Sequence, residues 1–174
     1  HSSDPQAVDA TWRMPLRKIV IARWLQDLAR DRFDDPTAVL VPNGVDTDQF
    51  DAPPRDLHDP PCVGVMYGKL PWKGTAVAFE AFTRARARVP GLRLVTFGHH
   101  APIPALPLPD GATFHLRPPQ QEIPKIYASA DIWLGASTSE GFALPPLEAM
   151  ACRCPVVCTR CGGPEDFVHE EAVL

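Results

Sequence analysis

At 174 residues and 45% apolar content, the chain has enough material for one buried core, and a single main domain is expected. A net charge of −4 removes the case for nucleic acid or an anionic membrane surface as a partner. No run approaches the roughly eighteen apolar residues of a spanning helix, and the N-terminus lacks a secretory apolar region, so no transmembrane segment is expected.

Leu16, Ile19, Val20, Trp24, Leu25 and Leu28 recur at helical spacing, which predicts an amphipathic helix opened by Pro15 and closed before Asp34-Asp35-Pro36. A short strand over 38–41 and an Asn43-Gly44 turn follow, then a Pro- and Asp-rich connection over 47–61. The apolar run 62–66 predicts a strand, and a helix is expected from 74 or 75 to about 88. Strands over 92–97 and 112–116 flank a Pro-rich loop, and a short helix over 121–129 leads into a strand over 131–134. A helix after Leu144, a strand over 156–158 and a short helix near Gly163 follow, with Ala172-Val173-Leu174 reading as the start of another strand. Strands alternating with helices imply right-handed crossovers and an α/β fold with a doubly wound, Rossmann-like parallel sheet. Ligands of such sheets bind outside the carboxyl ends of the strands. The 21 prolines cluster in the connections and mark loops rather than disorder.

Four of the five cysteines, Cys152, Cys154, Cys158 and Cys161, fall within ten residues, and the last two have CxxC spacing. No second CxxC or histidine pair completes a four-ligand set, and a strand over 156–158 turns its side chains in alternating directions, so no metal site is expected. Free thiols without a secretion signal point to a reducing compartment.

The stretch 139–150 carries the most chemistry. A strand over 131–134 runs into a turn holding Glu140, and Leu144, Leu147 and Met150 then recur at helical spacing, with Pro145 and Pro146 suited to a helix start. Such a turn presents backbone N–H groups and the positive end of a helix, a seat for a phosphate. Acids on either side of it, Glu140 and Glu148, would accept hydrogen bonds from sugar hydroxyls, which points to a nucleotide-sugar site.

Glu140 to Glu148 forms an E-x7-E pattern that resembles the retaining glycosyltransferases of the GT-B fold, most closely family 4 (glycosyltransferase group 1). The resemblance extends to Val41-Pro42-Asn43-Gly44-Val45-Asp46, to Lys73-Gly74, to Tyr127-Ala128-Ser129-Ala130-Asp131, and to Pro155-Val156-Val157 followed by Gly162-Gly163-Pro164-Glu165. These occur in the family's order over about 38–170. The resemblance implies the C-terminal half of a GT-B fold. Residues 1–36 would be a hinge-side helix left from the N-terminal domain, and 37–174 the nucleotide-sugar donor-binding domain, cut short at its C-terminus.

It also implies roles. Glu140 would hydrogen-bond the donor sugar and Lys73 would neutralise the diphosphate leaving group, forming the catalytic pair. Glu148 would accept hydrogen bonds from the ribose. Gly141, Phe142, Ala143 and Leu144 would act through backbone N–H groups, with Phe142 and Leu144 also anchoring the loop in the core. Gly68 and Lys69 stand where the family commonly has Gly-Arg, and lysine cannot make the two-pronged phosphate contact of arginine. Arg117 and Pro118, at a strand end, would lie on the base side, while Tyr127 reads as packing. His99-His100 replace a glycine-rich loop, lining the donor pocket or simply exposed.

The implied chemistry is front-face transfer through an oxocarbenium-like state, the leaving diphosphate deprotonating the acceptor. No cofactor or metal would be required beyond the nucleotide-diphosphate sugar itself. The acceptor, a glycan or lipid-linked sugar, would be held by an N-terminal domain that this chain lacks, so the chain alone is expected not to transfer sugar. A bacterial-type enzyme in the cytoplasm, including the inner face of the membrane, is expected. Two alternatives remain: a nucleotide-sugar epimerase of the same fold, and a non-catalytic nucleotide-binding or assembly module, which Lys69 and His99-His100 favour.

Overall fold

A computed structural model describes residues 4–54 and 56–168. The strand expected at Ala172-Val173-Leu174 lies outside them. The chain divides into two compact units, His1–Asn43 and Gly44–Leu174.

The first unit departs from the expected single helix. Asp4 accepts hydrogen bonds from the N–H groups of Gln6 and Ala7 and so caps a helix, α1 (Pro5–Trp12), which opens on a proline. Ile19–Val20 is a strand, β1, and the helix α2 begins only at Arg23 and ends at Phe33. Ile19 and Val20 fall in phase with the helical period, but they are β-branched and pair in parallel with Val39–Leu40, β2. Ala22 is extended, with φ −149° and ψ 154°, which ends any helix running through this segment from Pro15. Val20, Ala29 and Ala38 form the unit's small core, and Trp12 stacks on Phe33 at 5.4 Å between ring centres.

The second unit is built on five parallel strands in the order β5-β4-β3-β6-β7. They are β3 (Cys62–Met66), β4 (Arg93–Gly98), β5 (Ala112–Leu116), β6 (Ile132–Gly135) and β7 (Val156–Cys158). Successive residues of β3 and β4 go to opposite faces. Val63, Val65 and Leu94 pack with Phe79 and Phe82 of α3 (Thr75–Arg86), which covers one face. Cys62, Val95, Phe97 and Trp133 pack on the other with α4 (Ile123–Ala128) and α5 (Leu144–Ala151). Burial on both faces is what a parallel sheet requires, and it explains why its strands read as unbroken apolar runs. Trp133 lies opposite Gly64, where a Cβ would come within 2.1 Å of the indole, so the largest core side chain occupies the space that the glycine leaves.

Asp131, the last residue of Tyr-Ala-Ser-Ala-Asp, fastens this sheet. Its carboxylate accepts from the Cys62 N–H at 2.7 Å and the His58 N–H at 2.9 Å, and it meets the His58 ring at 2.8 Å. Burial pushes this carboxyl up, but the hydrogen bonds outweigh it and hold Asp131 below the usual aspartate range. Its stabilisation is therefore present above the ordinary value of 3.8 and is lost as pH falls through the lower, folded value.

The strand order decides where a ligand can sit. From β3 the chain winds outward to β4 and β5, then returns to place β6 on the other side of β3. The crevice at that reversal, beyond the carboxyl ends of β3 and β6, is the binding position of open α/β sheets.

Candidate active site

The loops that follow β3 and β6 meet in that crevice. After β3, residues Pro71–Lys73 form one 3₁₀ turn, and Gly74 closes it in the left-handed region at φ 65°. A Cβ on Gly74 would lie 1.7 Å from the Ala136 carbonyl oxygen, so only glycine lets this turn touch the loop after β6. The Thr138 N–H donates to the Trp72 carbonyl at 2.8 Å and joins the two loops through their main chains. Thr75, 2% exposed, accepts from the Gly68 N–H at 2.9 Å and donates to the Gly68 carbonyl at 2.8 Å, clamping the base of the turn.

This scaffold brings Lys73 Nζ to 2.8 Å from Glu140 Oε1. Ser137 Oγ donates to the same Glu140 oxygen at 2.7 Å. Glu140 is fixed at its backbone as well. Its N–H donates to the Cys161 carbonyl at 2.9 Å, and its carbonyl accepts from Gly163 at 3.2 Å, extending the β6–β7 pairing beyond the strands. Gly68, Lys73, Ser137, Glu140 and Ala143 line one cleft, whose floor includes Trp133 and the start of α5. Lys73 is the only cation among the described residues lining it.

Other expected site residues lie elsewhere. Lys69 is exposed and does not line the cleft. Arg117 is exposed with φ 47°, and its guanidinium donates to the His99 carbonyl at 2.7 Å. Pro118 lines a separate groove with Glu122, Lys125 and Ile126. His99 and His100 are exposed on the same carboxyl edge, after β4.

The Glu140-to-α5 turn corrects two expectations. Phe142 is buried, 5.2 Å from the Phe167 ring between centres, but Leu144 is 39% exposed and anchors nothing. A phosphate seat at this turn, as expected from sequence, would also be narrower. Of the four N–H groups that a helix start leaves open, Pro145 and Pro146 lack two, so the remaining donors belong to Ala143 and Leu144, and no side chain caps them. Ala143 has φ 73°, a left-handed conformation that costs an alanine about 1–2 kcal/mol. Ala143→Gly is expected to raise stability by about 0.5–1 kcal/mol, after the greater unfolded-state freedom of glycine is counted. A urea midpoint at or below wild type would contradict this.

Glu148 lies beyond the first turn of α5, so the helix dipole does not account for it. The buried Tyr127 hydroxyl donates to Glu148 Oε2 at 2.7 Å. Tyr127 thus packs, as expected, and also orients an acid. Burial pushes Glu148 above the usual glutamate range, and the tyrosine bond only partly opposes it. With a raised folded value, stability is fully present below the ordinary 4.5 and is lost as pH rises through the folded value. Glu148→Gln keeps an acceptor for Tyr127 and removes this loss. Its melting temperature relative to wild type should climb between pH 4 and pH 7, and a difference that is flat or falls with pH would refute the assignment.

Among the described residues no group of three or more His, Cys, Asp or Glu is placed to hold a metal ion. None of the five cysteines forms a disulfide, and burial first, with Cys161 second, pushes Cys158 up to about 12. No described helix is long and apolar enough to cross a membrane.

Residues 61–174 match the family described as glycosyl transferases group 1, more than half of the chain. The chain belongs to that family. The glycosyl transferase chain is 30% identical over 177 aligned residues to the GDP-mannose-dependent alpha-(1-6)-phosphatidylinositol monomannoside mannosyltransferase of Mycolicibacterium smegmatis, covering 85% of this chain and 46% of that enzyme. It spans less than half the length of that relative. Among solved structures it is similar to the C-terminal domain of a glycosyl transferase group 1 family protein from Francisella tularensis, with 29% identity, a TM-score of 0.58, and 74% of this chain and 77% of that one covered. Sucrose-phosphate synthase from Thermosynechococcus elongatus shares the fold at 21% identity and a TM-score of 0.72, over 98% of this chain and 49% of that one. The second unit is thus the C-terminal half of a GT-B fold.

Proposed function

We propose that this glycosyl transferase chain is the donor-binding half of a retaining family 4 enzyme, which moves a sugar from a nucleotide-diphosphate sugar to an acceptor hydroxyl. The observation that carries the reading is the Lys73–Glu140 pair at the reversal of the strand order, where an anionic ligand meets one fixed cation. In this reading Lys73 moves from Glu140 to the diphosphate as negative charge develops on it, and the Glu140 carboxylate is left to accept from the sugar hydroxyls. Ala143 and Leu144 offer N–H groups to phosphate oxygens. Glu148, oriented by Tyr127, takes the ribose hydroxyls.

Positioning and electrostatics then supply the catalysis, and Lys73 offsets the negative charge that a metal would otherwise offset. The acceptor, a glycan or lipid-linked sugar, is held by a domain outside this chain, and the 174-residue chain alone does not transfer sugar. The mannosyltransferase relative makes GDP-mannose the first donor to test. The enzyme is placed in the cytoplasm, including the inner face of the membrane, a compartment that keeps cysteines reduced, as in this chain, where none forms a disulfide.

The test is calorimetric titration of the full-length protein, and of this chain, with GDP, UDP, dTDP and ADP. Selective binding of one nucleotide, weakened at least about tenfold by Lys73→Ala, is expected. A full-length protein that binds none of them would overturn the reading.

A further inference from the structure

The ion pair has an unequal geometry. Lys73 Nζ and Ser137 Oγ both donate to Oε1 of Glu140, at 2.8 and 2.7 Å. The Ser137 hydroxyl has one proton and two acceptors in reach, Glu140 Oε1 and the Lys73 carbonyl at 3.5 Å. The shorter contact to a charged oxygen takes the proton. Ser137 is itself restrained, because the Thr159 hydroxyl donates to its carbonyl and Thr138 beside it bonds to Trp72.

A lysine cannot hold a carboxylate and a diphosphate with equal strength at once. When Nζ turns to phosphate, Glu140 loses its charged partner while 17% of its side chain is exposed, and a glutamate with three rotatable torsions is then free to leave the sugar. We propose that Ser137 is a positioning residue that keeps the Glu140 carboxylate aimed at the donor sugar after Lys73 has moved to the leaving group. This rests on the nucleotide-sugar reading of the cleft. In this proposal Ser137 acts through the Glu140 carboxylate rather than on the nucleotide, so its effect falls on kcat and leaves nucleotide affinity alone.

The experiment uses the full-length enzyme with GDP-mannose as donor and calorimetric titration of GDP. In Ser137→Ala, kcat is expected to fall about 10- to 100-fold while the Kd for GDP stays within about twofold. Ser137→Thr, which keeps the hydroxyl, is expected to recover kcat to within about fivefold of wild type. In a Lys73→Ala background, loss of the Ser137 hydroxyl should cost as much in kcat as it does with Lys73 present, since Ser137 acts once Lys73 has left. Three results overturn the proposal: Ser137→Ala with near-normal kcat, an equal loss of GDP affinity, or a threonine variant no better than alanine. A wild-type enzyme that binds no nucleotide and consumes no GDP-mannose would instead sink the donor-site reading, and the proposal with it.

Discussion

Lys73→Ala in the full-length enzyme is expected to lower kcat about 100- to 1000-fold, the range seen when one fixed charge-stabilising donor is removed from a water-poor site. The size follows from isolation. Among the described residues lining the cleft no second cation can take over, and Lys69, the nearest lysine in sequence, is exposed outside it. Stability should hardly change. The Lys73 side chain is 36% exposed, and a pair with that much solvent contact contributes on the order of 1 kcal/mol or less. The two effects therefore separate: steady-state kinetics should show the loss, while the melting temperature stays within about 2 °C. A kcat within tenfold of wild type would mean that the leaving group is neutralised elsewhere.

Gly74→Ala is expected to be the most damaging single methyl group in this region. The residue sits at φ 65°, which costs alanine about 1–2 kcal/mol, and the added Cβ would lie 1.7 Å from the Ala136 oxygen. The clash is with main chain, so relief requires moving the loop after β6 and stretching the Thr138-to-Trp72 hydrogen bond. We expect a loss of about 3 kcal/mol or more in urea unfolding. Gly44→Ala is the control, because no atom lies within 4 Å of its added Cβ, and it should be nearly neutral. Equal midpoints for the two variants would show that the contact between the loops is not tight.

Much of the fold was legible because its strands are buried on both faces and stand out as short apolar runs between prolines and glycines. The first unit was less so. Ile19 and Val20 satisfy a helical period as well as a strand, and only their pairing with Val39 and Leu40 decides between them. In α5 the helical spacing of Leu144, Leu147 and Met150 marks the helix but not its buried face. The buried residues are Pro146 and Ala149, with Cys152 just past the helix, because close packing in the core around Trp133 selects small side chains. Within the site, Lys73 and Glu140 were visible as motif residues. Ser137 was hidden among three consecutive hydroxyl residues, and the Tyr127–Glu148 bond spans a separation along the chain that no local pattern reveals.

The joint between the two site loops has a consequence for sequence drift. It is made by the Thr138 N–H and the Trp72 carbonyl, groups that every residue but proline supplies on the donor side and every residue supplies on the acceptor side. The bond itself is therefore blind to which side chains stand at 72 and 138, and the one strict demand falls on Gly74. Substitutions can accumulate on either side of the joint while the spacing between cation and carboxylate is inherited intact.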